Sequence, residues 1–382
     1  MSKLEELIQE LCPNGVEFKN IGCFCEIKTG RGITHKDTVT DGQYPVISGG
    51  LEPMGFYNEY NREAGTVTIA RAGSAGYVNF IETKFYLNDK CFSIIPIEMT
   101  NSKFLYYALK NIENVIISMQ STGSVPTVNI EKVSSIRIPI PPLDVQNEIV
   151  RILDNFTLLT AEFTAELTVE LTTRKEQYDY YFKKILSLKE TDYATMPLKN
   201  IGKVCMCRRI MKHQTASTGD VPFYKIGTFG KNPDSFISKS LFEEYKKNYS
   251  YPKKGDVLIS CSGTIGRTVI FDGNDAYFQD SNIVWIDNDE SIALNKYLFY
   301  VYKLNPFIIS TGGTIPRLYN SGIENAEIKV PSIEKQKEII LMLDKFEVCF
   351  NGITQSLLAE IELRKQQYEY YRNKLLTFKE LK

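Results

Sequence analysis

Chemistry in a protein needs side chains that ionise, attack or ligate, and this 382-residue chain is sparing with some of them: it has two histidines and eight cysteines. Cys23-x-Cys25 is followed by His35, and Cys205-x-Cys207 by His213. That pairing uses both histidines and raises a zinc reading. Each set offers three ligands where structural zinc takes four, so no metal is expected. Cysteines two apart also suit one buried face of a strand, with the thiol acting as a small apolar group. The carboxylates pair in no recognisable catalytic spacing. A G-x-x-x-x-G-K-[ST] phosphate loop, a G-x-G-x-x-G fingerprint and an Asn-Pro-Pro-Tyr-type amino-methyltransferase motif are all missing from the sequence. No cofactor and no intrinsic enzymatic activity are expected.

Cations in or near the loops are the other chemical resource. Lys28, Arg31, Arg62, Arg71 and Lys90 stand out in the first half, and Arg208, Arg209, Lys212, Lys225, Lys231, Arg267 and Arg317 in the second. Arginine can pair with guanine through two hydrogen bonds, and lysine or arginine can neutralise phosphate. Ser74 and Thr264 lie in the turns Gly73-Ser-Ala-Gly76 and Gly263-Thr-Ile-Gly266, where backbone can approach a phosphate; a plain hairpin turn fits equally. Thr122 and Thr311, in Ser121-Thr122-Gly123 and Ser310-Thr311-Gly312, either contact DNA or end a helix. Charge adds little. Residues 20–142 hold 11 basic and 11 acidic side chains, residues 197–331 hold 17 and 13, and the whole chain is at -1. Any basic face must come from distribution.

These candidates recur because the chain repeats. Phe18-Lys-Asn-Ile-Gly22 returns as Leu198-Lys-Asn-Ile-Gly202, an offset of 180. Gly65-Thr-Val-Thr-Ile-Ala-Arg-Ala-Gly73 returns as Gly255-Asp-Val-Leu-Ile-Ser-Cys-Ser-Gly263, and Arg174-Lys-Glu-Gln-Tyr-Asp-Tyr-Tyr181 as Arg364-Lys-Gln-Gln-Tyr-Glu-Tyr-Tyr371, both at 190. The same motifs in the same order mean tandem duplication of whole domains, since the period is far above that of a solenoid.

Each copy has two textures. Residues 18–141 and 190–331 are rich in Gly, Pro, Tyr and short β-type runs, and predict compact α+β domains. Ile21, Cys23, Cys25 and Ile27 alternate with polar residues as in a strand. Residues 142–189 and 332–382 read as long helices. Beyond Pro142 and Pro331 they hold no further proline, and Gly352 is their one glycine. Their apolar stripe runs through Ile149, Leu153, Phe156, Phe163, Leu167, Leu171, Tyr178 and Tyr181, with counterparts 190 residues later. Roughly 45 helical residues span about 65 Å, more than one small domain needs. The stripe calls for a partner helix. The other copy, packed antiparallel in the same chain, is the economical one; packing of each helix on its own domain is the alternative. Tyr180 and Tyr370 fall off the seam and are candidates for binding a partner subunit. Residues 1–17, starting MSKLEELIQEL, read as an amphipathic helical segment and not a signal peptide, and no apolar run is long enough to span a membrane.

The helix entries Pro139-Ile-Pro-Pro-Leu-Asp-Val-Gln146 and Val330-Pro-Ser-Ile-Glu-Lys-Gln336, the Arg-Lys-x-Gln-Tyr-x-Tyr-Tyr blocks and the duplicated layout together resemble the specificity subunit of type I restriction–modification systems, the HsdS family. The resemblance covers essentially the full length. It implies an α+β fold of two similar target-recognition domains separated by two long helices that form an intramolecular antiparallel coiled coil, pseudo-two-fold symmetric. It implies that each domain reads one half of a bipartite asymmetric duplex DNA site. The helices would space the domains and dock two methyltransferase subunits, with restriction/translocase subunits joining. It implies a cytoplasmic, non-catalytic protein whose first and last segments lie close together. The competing reading is a protein-interaction scaffold with duplicated modules that bind no DNA.

Overall fold

The short β-type runs of each copy become two small sheets and a closing ribbon in the computed structural model, which describes residues 2–97, 99–121, 125–310 and 316–381. In the first copy an antiparallel sheet has the spatial order Cys25–Thr29, Cys91–Pro96, Thr66–Ala70, Val78–Ile81. Thr66–Ala70 is buried at every position, which accounts for its β-branched run. A second sheet places Tyr44–Ile47 between Phe56–Tyr57 (antiparallel) and Tyr86–Leu87 (parallel). Glu17–Asn20 pairs antiparallel with Arg137–Ile140 and closes the domain. The helix Ser102–Asn111, capped by the Asn101 side chain, buries Phe104, Leu105, Tyr107, Ala108 and Leu109 in the core.

The second copy repeats this topology. Its sheets run Gly202–Met206, Ile283–Asn288, Val257–Ser260, Thr268–Ile270, and Phe236–Ile237, Val221–Tyr224, Tyr277–Phe278. Tyr193–Pro197 and Glu327–Pro331 form the closing ribbon. The change of repeat offset from 180 to 190 has a location. Between Tyr57 and Gly65 the first copy has seven residues, and between Ile237 and Gly255 the second has seventeen. The longer segment carries a ten-residue helix, Lys239–Asn248, anchored by buried Phe242.

One expectation needs correction. Ile21–Phe24 is a single helical turn, and only Cys25–Thr29 is strand. Ile21 and Phe24 are both buried because a helix puts i and i+3 on one face. The alternation that read as a strand hid this, and it leaves Cys23 exposed while Cys25 is buried.

The long helices are Leu143–Leu186 and Ile333–Leu376, each of 44 residues. The chain forms two compact units: Met1–Val169 with Leu357–Lys382, and Glu170–Ser356. In the first unit, Phe156 meets Tyr371 at 5.7 Å between ring centroids, the Thr157 and Tyr368 hydroxyls are 3.0 Å apart, and the Arg364 guanidinium covers Phe163 at 5.2 Å. Residue numbers rise along one helix as they fall along the other, so the pairing is antiparallel. In the second unit, Tyr178 lies 4.4 Å from Phe350 and 5.1 Å from Phe346, and Tyr181 also meets Phe346 at 6.3 Å, again antiparallel. The alternative holds for the helix starts: Ile149 and Leu153, like Ile339 and Leu343, are buried in the core of their own globular domain. The segments at the two ends of the chain also meet within the first unit. The Val16 N–H donates to the Lys379 carbonyl at 2.9 Å, and Arg137 bonds Glu380 at 2.6 Å.

Candidate nucleic-acid interface

In the first copy, the ends of the strands bring separate loops to one place by backbone hydrogen bonds. Arg71 donates its N–H to the Lys90 carbonyl at 2.7 Å, and its own carbonyl accepts from Val128 at 2.9 Å. Ser74 donates its N–H to Gly49 at 2.7 Å, and Ser121 donates its N–H to Thr127 at 2.8 Å. The approach at Gly49 is so close that a Cβ there would sit 1.9 Å from the Ala72 carbonyl oxygen, and Gly73 adopts φ +83°. Only glycine satisfies both conditions. Arg31 adjoins the group, its N–H bonding the Leu87 carbonyl at 2.9 Å. Arg31, Arg71 and Lys90 are exposed. Among the described residues, none of the three has an acidic partner for its side chain.

The second copy makes the same backbone bonds with other residues. Cys261 donates to Asn282 at 2.7 Å and accepts from Leu318 at 2.9 Å, and Ser310 donates to Arg317 at 3.1 Å. Gly76 to Ala70 (2.8 Å) and Gly266 to Ser260 (2.9 Å) likewise correspond. Hence Arg71, Lys90 and Thr127 occupy the places of Cys261, Asn282 and Arg317. Two cations at these three places in the first copy face one cation and one amide in the second. The Arg317 guanidinium lies 3.5 Å from the Ser281 hydroxyl and the Asn282 side-chain oxygen, a loose hold. Ser281 itself stands at φ +55°, an uncommon conformation for a residue other than glycine.

Several remaining candidates have partners within the chain. The Arg62 guanidinium donates to the Ser93 hydroxyl at 2.7 Å and to the Asn61 and Thr29 carbonyls at 2.7 and 3.0 Å. Burial, then the neighbouring Arg31, shifts its pKa downward. Arg267 donates to the Phe229 carbonyl at 2.9 Å and to the Thr264 hydroxyl at 3.3 Å. Lys28 pairs with Glu26 at 2.7 Å and Lys225 with Asp234 at 2.9 Å, while Arg209 lies 3.3 Å from Asp280 and keeps most of its side chain exposed. Arg208 stacks over Tyr249 at 5.3 Å. Lys212 and Lys231 are exposed. Thr122 and Thr311 lie outside the described residues. No cluster of three or more His, Cys, Asp or Glu side chains able to hold a metal exists among the described residues. The buried thiols of Cys25 and Cys207 are pushed up to about 12 by burial.

Tyr180 and Tyr370 are well exposed on the long helices, each in edge-to-face contact with the next tyrosine. Exposed Leu158, Leu159, Leu341, Val348, Leu358 and Leu363 share these helices, so apolar surface exceeds what the intrachain seam covers.

Residue-type reasoning missed Gln146 and Gln336. Both side chains are fully buried. Gln146 accepts from the Asn101 N–H at 2.9 Å and donates to the Pro141 carbonyl at 2.7 Å; Gln336 accepts from Leu294 at 2.8 Å and donates to Pro331 at 2.9 Å. Each amide locks the start of a long helix to the helix of its globular domain. The signal was present, since both helix entries place glutamine five residues after a proline.

A family profile described as type I restriction modification DNA specificity domain matches residues 13–173 and 190–363. The chain is 50% identical over 331 residues to a putative type I restriction enzyme specificity subunit of Haemophilus influenzae, covering 85% of each. It is 31% identical over 296 residues to the EcoR124I/EcoR124II specificity subunit of Escherichia coli, covering 72% of this chain and 70% of that one. In fold, 96% of the chain aligns with 98% of a chain from a study of complex assembly and conformational transition in the type I R-M system, with TM-score 0.74 and 16% identity. The HsdS subunit of Thermoanaerobacter tengcongensis aligns over 97% of this chain and 99% of its own, with TM-score 0.53 and 15% identity.

Proposed function

We propose, from the premise that this chain belongs to the family of type I restriction–modification specificity subunits, that each globular domain reads one half of a bipartite, asymmetric duplex DNA site. Specificity subunits are the non-catalytic component of the type I complex, so the chemistry is left to partners. The observation that carries the reading is the pair of matched loop clusters. The backbone bonds at Arg71, Lys90 and Thr127 recur at Cys261, Asn282 and Arg317, while the side chains differ. Arginine suits guanine and asparagine suits adenine, so two such clusters would demand two different half-sites. Arg31, Arg71, Lys90, Arg208, Arg209, Lys212, Lys231 and Arg317 are the side chains best placed for bases or phosphates. Arg62 and Arg267 would serve by holding loops in shape, and Ser74 and Thr264 by letting backbone approach a phosphate.

The paired helices would set the spacing between half-sites. At 44 residues each is about 66 Å long. Their exposed apolar residues, with Tyr180 and Tyr370, would dock two methyltransferase subunits, and restriction/translocase subunits would join that assembly in the cytoplasm. The rival is a scaffold that binds no DNA. Mapping methylated positions in host genomic DNA, with and without the gene, decides between them. A split, asymmetric motif that disappears with the gene is expected. An unchanged methylation pattern would remove DNA reading as the function.

A further inference from the structure

Each long helix carries a hydrogen-bond acceptor at one matched place, Thr157 and Glu347, 190 residues apart. In the first unit three helices meet there. Tyr107, on the helix Ser102–Asn111, is buried and donates its hydroxyl to Asp154 at 2.6 Å. Thr157 stands three residues further on, its oxygen 3.3 Å from that hydroxyl. Thr157 gives its own proton to the Leu153 carbonyl at 2.8 Å, so at 3.0 Å it accepts from Tyr368 on the other long helix. In the second unit Tyr300, on the helix Asn295–Lys303, is buried and donates to Asp344, and its oxygen lies 3.4 Å from the Glu347 carboxylate. Glu347 accepts from Tyr178 on the other long helix at 3.1 Å and pairs with Lys303.

The plan of the two junctions is the same: a domain tyrosine, an aspartate, an acceptor and a seam tyrosine. Lys103 and Lys296 hold the two aspartates at 3.1 and 2.7 Å. The acceptor differs. Thr157 is a neutral, exposed hydroxyl, whereas Glu347 is a half-buried carboxylate with a lysine on it. Apolar packing already holds each domain on the helices, through Leu153 and Leu376 in the first core and Leu343 and Phe182 in the second. Such packing tolerates small rotations. A hydrogen bond is directional, and a polar contact set in an apolar seam specifies alignment.

We infer that Thr157 and Glu347 are positioning residues, each fixing the angle at which its globular domain sits on the two long helices. The second junction is the stiffer, because its acceptor is charged and better shielded from water. The inference rests on the proposed DNA reading, in which that angle decides how strictly the spacer between half-sites is enforced. A plain alternative is that these bonds add stability and nothing more.

The test uses the full-length chain with its cognate methyltransferase. Methylation rates are compared on duplexes that keep the mapped half-sites and carry the natural spacer or one a base pair shorter or longer. Tyr368→Phe and Tyr178→Phe each remove one hydroxyl and keep the ring. Discrimination against the wrong spacers should fall about 5-fold in Tyr368→Phe and about 20-fold in Tyr178→Phe, as for a neutral and a charged hydrogen bond. The half-site sequences should stay as they were. Glu347→Gln, which keeps an acceptor but no charge, should lose only about 5-fold. Ile286→Val, a core change of similar cost away from the junction, should leave the spacer preference alone. The angle itself is read without DNA by spin labels in the second unit, at Lys175→Cys on the helix and Lys247→Cys on the domain, with Cys23, Cys205 and Cys349 replaced by serine. Their distance distribution should broaden in Tyr178→Phe. Unchanged spacer discrimination in Tyr178→Phe overturns the inference, and so does an equal loss in Ile286→Val, which would make stability the cause. If wild type methylates no split motif, the DNA reading fails, and the labels decide this inference: a distribution as narrow as that of wild type overturns it.

Discussion

Arg71 and Cys261 hold the same place in the two copies: each donates its backbone N–H across to the neighbouring strand end and accepts from the segment after the last loop. One is a free cation and the other a buried thiol pushed up to about 12 by burial. Lys90 and Asn282, and Thr127 and Arg317, are exchanged in the same way. The backbone supplies the bonds that shape the loops, so the side chains are free to vary without loss of fold. Duplication followed by side-chain exchange yields two different sets of loop side chains on one frame. The inserted helix is the larger change, because it adds a whole element, while the loops differ by one or two residues in length and in their side chains.

Where the copies agree, perturbation should hurt both equally, and the largest effect belongs to the glutamine clamps. Gln146→Leu leaves the Asn101 N–H and Pro141 carbonyl buried without their partner, a loss of about 2–4 kcal/mol. Gln336→Leu, which also strands the Ile292 carbonyl, should fall at least as far in the urea midpoint. A smaller fall for Gln336→Leu would break the equivalence of the two helix entries.

Where the copies differ, effects should separate. Arg71→Ala should relax one position of one half-site, with discrimination falling by about 1–3 kcal/mol, and leave the other half intact. Arg317→Ala should do the reverse. Methylation mapping in each variant reads both. A single variant that altered both halves would end the idea of independent readers.

The copies should also part company at high pH. Burial strongly raises the phenol pKa values of Tyr251, Tyr277, Tyr297, Tyr300 and Tyr302 in the second copy, and of Tyr106 (to about 12) and Tyr107 in the first, where Tyr77 and Tyr86 rise less. A folded-state pKa above the unfolded value contributes stability that is fully present below about pH 10 and lost as pH climbs toward the folded value. More such phenols should make the second domain weaken first. The chain's single tryptophan, Trp285, is buried there and reports on that domain alone. Its unfolding midpoint should move before the far-ultraviolet signal of the whole chain; a simultaneous change would contradict the assignment.

The smallest effect concerns reactivity. At pH 8 a thiol reagent should modify exposed Cys23 and Cys349 quickly, while Cys25, Cys91, Cys207 and Cys261 wait for unfolding. Rapid labelling of Cys207 would show that the second domain's inner face is open.

The repeat, the long helices and their antiparallel partnership were legible because periodicity over many residues survives local exceptions. The Ile21–Phe24 turn was not, because four residues of alternation look the same in a strand and in a single helical turn. Candidate cations were legible by type, but residue type does not separate Arg31 from Arg62. One is free and the other donates three bonds into the chain. Gln146 was visible within its motif without its role, because the groups it satisfies lie as far away as Asn101.

By itself the sequence determined the duplicated plan, since stripe, spacing and motif order are properties of the chain's own numbering. Tertiary structure alone decided which loops meet and which positions correspond across the copies. Those outcomes depend on backbone bonds between segments up to 57 residues apart, such as Val128 to Arg71. No local pattern encodes such a bond, because its energy exists only once both strands are in place.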